Sequence, residues 1–195
     1  DAVVWPRPLQ RPHPPLWIAA QSDESITRAA TLGLNVATWP HHHPIELVKH
    51  RAEVFRAAVA ARPGDATANQ KLSVMRVGHL SDDAAERDRA VDIMLDNFRV
   101  NRLYHNDTPG TIDEYGYIGP RSVPDEPTVE QMADNLMVGS GEELLERVLA
   151  YDALGVDELV LHLSFGMEHE LTMASIEKFG TDVIAPYRKL KGLDG

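Results

Sequence analysis

The feature that most constrains this chain is a repeated unit: a short apolar run, a capped amphipathic helix, a glycine, then another apolar run. Leu16-Trp17-Ile18-Ala19-Ala20 has the length of a strand and stops at Gln21-Ser22. Ser22 is a good helix N-cap, Asp23 and Glu24 fall in the first turn, and Ile26, Ala29 and Ala30 share one face. Gly33 takes the position after the helix, where a left-handed residue is needed. Leu34 to Trp39 then reads as a second strand, stopped by Pro40. The pattern recurs with Pro44 opening a helix through Val48, Ala52, Phe55 and Val59 that Pro63-Gly64 closes, followed by a strand over Leu72 to Val77. Ser81-Asp82-Asp83 caps a helix carrying Val91, Met94, Leu95 and Phe98. Ser140 or Gly141 starts another through Leu144, Leu145, Val148 and Tyr151, ending at Gly155 before a strand from Glu158 to Leu163. A last helix is expected from about Glu168 toward Tyr187, interrupted at Pro186. Two helix-to-strand joints echo each other, Ala30-Thr31-Leu32-Gly33-Leu34 and Asp152-Ala153-Leu154-Gly155-Val156.

Strand then helix, four times over, predicts an α/β fold of parallel strands joined by helical crossovers, with both strand faces covered. A chain of 195 residues suits one domain. Two segments break the rhythm. Residues 1–15 hold Pro6, Pro8, Pro12, Pro14 and Pro15 and are expected to be extended and irregular. Residues 105–137 carry four prolines, three glycines and seven carboxylates against Arg121 as the one Lys or Arg. A stretch that long inside a compact domain is functional or disordered. Two tyrosines with Ile112, Ile118 and Met132 favour a functional lid.

Composition removes several classes of function. With no cysteine, disulfides, thiolate nucleophiles and cysteine-ligated zinc are excluded. A net charge of -11 makes nucleic acid and anionic membranes poor partners. Apolar runs of four or five residues cannot span a bilayer, and no charged n-region precedes an apolar one at the start. The expected location is the cytoplasm.

Candidate chemistry gathers at strand ends. The joint Ala20-Gln21-Ser22-Asp23-Glu24-Ser25 places two hydroxyls at a helix N-terminus, either an anion site suited to phosphate or an ordinary cap. Gly139-Ser140-Gly141-Glu142 reads as a cap, since Glu142 and Glu143 would repel an anion. His41-His42-His43 is a solvated turn or a substrate contact, and no metal centre is expected from consecutive histidines. Strand alternation puts Val74 with Arg76, and Val160 with His162 and Ser164. Arg76 and His162 are therefore weak catalytic candidates, the alternatives being a paired structural arginine and a hydrogen-bonded core histidine. Trp39 is either a flat wall for an aromatic ligand or core.

Pro15-Leu16-Trp17-Ile18-Ala19-Ala20-Gln21-Ser22, with Glu24-Ser25-Ile26 and Ala29-Ala30-Thr31-Leu32-Gly33, resembles the luciferase-like, flavin-dependent monooxygenases. So do Gly139 to Glu143, Leu154 to Leu159, Ser175 to Gly180 and Val183 to Pro186. The resemblance covers essentially the whole chain and implies the C-terminal half, strands five to eight, of a TIM (β/α)8 barrel. It implies Gln21, Ser22 and Ser25 as contacts of the FMN phosphate, Trp39 near the flavin ring, and 105–137 as the mobile lid after the seventh strand. It further implies reduced FMN supplied by a separate flavin reductase, and O2 and a small organic substrate as the other partners. Oxygenation would proceed through a flavin peroxide, with a deazaflavin-dependent oxidoreductase or a non-catalytic flavin-binding relative as alternatives. A complete barrel needs about 250 residues, so an N-terminal half of comparable size is expected to precede this one, and a dimer is expected.

Overall fold

The computed structural model describes residues 5–7, 9–11, 13–62, 70–105 and 112–193. Five strands and seven α-helices follow in the order β1 (Trp17–Ala19), α1 (Asp23–Thr31), β2 (Asn35–Thr38), α2 (Ile45–Ala60), β3 (Leu72–Leu80), α3 (Ala84–His105), α4 (Val129–Asn135), β4 (Met137–Gly139), α5 (Gly141–Ala153), β5 (Glu158–His162), α6 (His169–Lys178) and α7 (Ala185–Lys191). Every strand pairing is parallel. β2 lies between β1 and β3, β5 runs along β3 over Ser73 to Val77, and β4 joins the last three residues of β3.

Local chemistry explains the joints. Ser22 Oγ accepts the Ser25 amide while Ser25 Oγ accepts the Ser22 amide, which satisfies two donors at the start of α1. Ser140 and Glu143 do the same for α5, as the sequence suggested. Gly33 ends the first helix at φ +80, and a Cβ there would sit 2.7 Å from the Arg62 guanidinium.

The register assigns each strand face. Val36, Leu72 and Val74 turn toward the helices and are buried with Ile26, Phe55 and Leu144. Each such side chain contributes about 1.5–3 kcal/mol on full burial. Trp17, Met75, Val77, Val160 and His162 turn to the opposite face. Its C-terminal end is covered by a second cluster that includes Val91, Leu95, Met132 and Phe165. Toward the edges that face is open, with Trp17 39% and Val160 46% exposed. Among the described residues, β1 and β5 each pair on one side only.

Four details depart from expectation. A fifth strand, β4, is present, and β3 extends to Leu80 because β4 gives its last residues a partner. The stretch expected to be irregular over 105–137 contains α4 and the first residue of β4. The last helix is not broken at Pro186. Its irregularity is a π-helical turn over Phe179–Ile184, and Pro186 falls in the first turn of α7, where a missing N–H costs little. The helix closure at Pro63-Gly64 lies outside the described residues, as do Pro8 and Pro12 of the lead and residues 106–111 of the insert.

Candidate functional site

A cavity of about 770 Å³ opens at the C-terminal ends of β2, β3 and β5. Val77 and His162, paired in register on neighbouring strands, both line it. Trp39, one residue beyond β2, forms a wall, and α3 contributes Met94 and Phe98. Met132 of α4 and Phe165 after β5 complete its apolar part.

The histidine triplet belongs to this cavity. His41 stacks on Trp39 with ring centroids 4.2 Å apart and planes at 20°, and His42 meets Phe98 edge-on at 4.6 Å. His162 approaches Trp39 edge-on at 6.1 Å. His41 has φ +51, a left-handed conformation that is uncommon outside glycine. Arg76 holds the turn in place, with Nη1 donating to the carbonyls of His41 and His43 at 2.8 Å each and Nε donating to the Tyr151 hydroxyl at 2.7 Å. Burial, followed by the neighbouring positive groups, lowers the pKa of all three histidines, that of His42 to about 4. They are neutral donors and acceptors at neutral pH. Among the described residues, the buried Trp39 Nε1 has no hydrogen-bond partner.

The residues expected at a phosphate gather at the start of α1. Ser22 Oγ and Ser25 Oγ lie 3.1 Å apart. The neighbouring Gln21 is bound by Arg51, which is 7% exposed. Its Nη2 donates to the Gln21 carbonyl at 2.8 Å, and its Nη1 to Gln21 Oε1 at 2.9 Å and to Thr38 Oγ1 at 2.6 Å. Burial lowers the Arg51 pKa and the nearby Asp23 raises it. An arginine stays protonated under either influence. Because Thr38 precedes Trp39, this network ties the start of α1 to the cavity wall.

The structure thus brings Gln21, Ser22 and Ser25 to one end of the site and Trp39 and His162 to the other. Arg76 lies on the helix-facing side of β3 and does not line the cavity. Arg51 escaped the sequence reading, although its position was a signal. It sits three residues after Val48 on the stripe that also carries Ala52, Phe55 and Val59, where a solvated arginine would not be.

The insert reaches the site from the far side. Glu126 accepts both Arg99 Nε and Arg99 Nη2, at 2.9 and 2.8 Å, and Val123 and Met132 are buried beneath it. Asp125, at φ +59, stands on the cavity rim. Among the described residues no group of three or more His, Asp or Glu side chains could hold a metal, and no helix is long and apolar enough to cross a membrane.

Parallel strands with helical crossovers and a cavity at the strand C-termini define an α/β protein with its site where parallel sheets place their ligands. Within that class, the chain belongs to the luciferase-like monooxygenase family, matched over residues 1–158. It is 29% identical over 194 residues to the oxygenase component of the flavin-dependent trigonelline monooxygenase of Acinetobacter baylyi, covering 95% of this chain and 52% of that protein. Among solved structures it is similar to a monooxygenase from Streptomyces bottropensis, with TM-score 0.67 and 21% identity over 94% of this chain and 51% of the other. It is also similar to the FMN-bound oxygenating constituent of 3,6-diketocamphane monooxygenase from Pseudomonas putida, with TM-score 0.60 and 16% identity over 89% and 49%. The chain spans about half the length of the curated relatives it matches.

Proposed function

We propose that this chain forms the phosphate-binding, C-terminal half of the (β/α)8 barrel of an FMN-dependent monooxygenase that oxygenates a small organic substrate. The observation that carries this reading is the Ser22–Ser25 pair at the capped start of α1, next to Gln21, whose partner, the buried Arg51, also bonds Thr38, the residue before the cavity-wall Trp39. A helix N-terminus with two hydroxyls and a fixed cation behind it suits a phosphate monoester. The cavity suits a planar ring, because Trp39 offers both a flat face and an indole N–H with no partner among the described residues.

In this reading Ser22 and Ser25 exchange their mutual hydrogen bond for bonds to phosphate oxygens. Arg51, held by Gln21 and Thr38, supplies charge without paying side-chain entropy at the moment of binding. Trp39 and His41 orient the ring system. Phe98, Met94 and Met132 exclude water, and His162 at the floor is the side chain placed to accept or return a proton. Reduced FMN, when bound, supplies the electrons that activate O2. The insert over residues 105–137 acts as a lid, hinged against α3 through Arg99 and Glu126. The open edges at β1 and β5, and the exposed Trp17 and Val160, are the surfaces a preceding barrel half would cover. The relative named as an oxygenase component supports a separate reductase as the source of reduced flavin.

Titration with FMN and with reduced FMN, with oxygen uptake followed in the same samples, tests the reading. Ser22→Ala with Ser25→Ala should weaken FMN binding by about 1–3 kcal/mol. Unchanged affinity in the double variant would sink it.

A further inference from the structure

With six methionines and no cysteine, the chain carries all of its sulfur as thioethers. Their surroundings differ. Met137 and Met167 are buried and away from the cavity, Met75 is half-buried on β3, and Met173 on α6 is 44% exposed, the most of the six. Met94 and Met132 line the cavity, but Met132 is 0% exposed within the apolar cluster. Met94 alone combines a place on the cavity wall with a side chain that is only half-buried, so a small molecule held there can reach it. Its sulfur also has a polar neighbour. Asn97, one turn further along α3 and itself on the cavity, places Nδ2 3.9 Å from Met94 Sδ and 3.0 Å from the Phe165 carbonyl, one N–H for each.

A thioether is oxidised by hydrogen peroxide to a sulfoxide. The sulfur lone pair takes one peroxide oxygen, the O–O bond breaks, and the departing hydroxide leaves as water with the remaining proton. Sulfur loses two electrons and the peroxide gains them. Reduced flavin yields that peroxide when it passes both electrons to O2 and no organic substrate takes an oxygen atom. Oxygen placed on Met94 turns part of the apolar wall it forms with Phe98 and Met132 into a polar group, and the Asn97 N–H that faces the sulfur is a donor for the new S=O oxygen. We propose that Met94 is a modification site: hydrogen peroxide released inside the cavity, when substrate is absent, converts its thioether to a sulfoxide that Asn97 holds and that weakens flavin binding. This assignment rests on reading the cavity as the place where reduced FMN meets O2.

The test keeps the full chain in air with FMN, NADH and a flavin reductase, without organic substrate and with catalase, and measures the sulfoxide at each methionine by peptide mass spectrometry. A parallel sample receives hydrogen peroxide alone. Peroxide in solution should mark Met173 first, because it is the most exposed. During turnover the order should invert, since catalase clears the solution but is far too large to enter the cavity: Met94 should be marked first and Met173 spared. Met132 should stay reduced in both samples, and Met94→Leu should remove the turnover mark without moving it to Met132. The marked protein should bind FMN about 2- to 10-fold more weakly, as expected for a polar group set against an apolar ring. Methionine sulfoxide reductases A and B should restore the affinity. Met173 marked ahead of Met94 during catalase-protected turnover would overturn the proposal. So would Met94 marked ahead of Met173 by peroxide in solution, which would make the selectivity a property of the residue and not of the cavity, and so would an FMN affinity that ignores the sulfoxide. If calorimetry shows FMN bound and Met94 stays reduced, this proposal falls and the flavin reading stands; if no FMN binds, both fall.

Discussion

Replacing Arg51 with methionine keeps most of the stem volume and removes the guanidinium. Three hydrogen bonds disappear, at 2.8, 2.9 and 2.6 Å, to Gln21 O, Gln21 Oε1 and Thr38 Oγ1. Gln21 is exposed and its amide can turn to water, but Thr38 is 1% exposed and its hydroxyl keeps only the longer contact with Gln21, at 3.4 Å. A stranded buried hydroxyl costs about 1–3 kcal/mol, partly offset because the arginine charge no longer needs desolvation. A net loss near 2 kcal/mol would lower Tm by about 4–8 °C in a chain of this size. The second effect falls on the ligand. A buried guanidinium near a bound phosphate, at a partly open site where solvent screens it, contributes about 1–2 kcal/mol. FMN affinity should therefore fall about 5- to 30-fold, measured by flavin fluorescence titration below the new Tm, with riboflavin as the control lacking phosphate. Riboflavin binding should not change. A lower Tm with unchanged FMN affinity would refute the phosphate role, and no change in either would refute the network itself.

Three further outcomes follow from the same structure. Tyr115 and Tyr117 are 86% and 63% exposed on the insert, so limited chymotrypsin digestion should cut there first and more slowly once ligand is bound; first cuts within α1 or α2 would count against a lid. Because His42 titrates near 4 in the fold and near 6.5 when unfolded, the unfolded chain takes up the proton first. Stability should fall as pH drops from about 6.5 to about 4 and then level off for this group, and His42→Phe should flatten that limb in urea melts at stepped pH. Gly33→Ala places a Cβ at φ +80 and 2.7 Å from Arg62, so it should cost about 1–2 kcal/mol; equal stability in thermal melts would show that the turn relaxes freely.

What the sequence made legible was whatever is encoded locally. Ser22, Gly33, Ser140 and Gly155 mark helix ends by caps and left-handed turns that need no partner from elsewhere in the chain. The parallel order followed from alternating strands and helices. β4 was not legible, because three residues have no periodicity and Met137-Val138-Gly139 becomes a strand only by pairing with Gly78 to Leu80. The histidine turn was half legible. His41 and His43 are exposed, as a solvated turn would be, but only Arg76, reaching across from β3 to their carbonyls, shows that the turn also sits beside Phe98 and Trp39. The serines proposed to hold the phosphate were visible, but Arg51 was not, since it comes from a different helix and meets Gln21 and Thr38 only in the folded protein.

The central claim, that flavin phosphate is held at the start of α1 beside an aromatic cavity, is tested most directly by a crystal structure of the chain with FMN. The account predicts phosphate oxygens within hydrogen-bond distance of Ser22 Oγ and Ser25 Oγ, on the Arg51 side of the helix, with the ring system reaching Trp39. A phosphate bound elsewhere, with the Ser22–Ser25 contact and the Arg51 network left as they are, would contradict it.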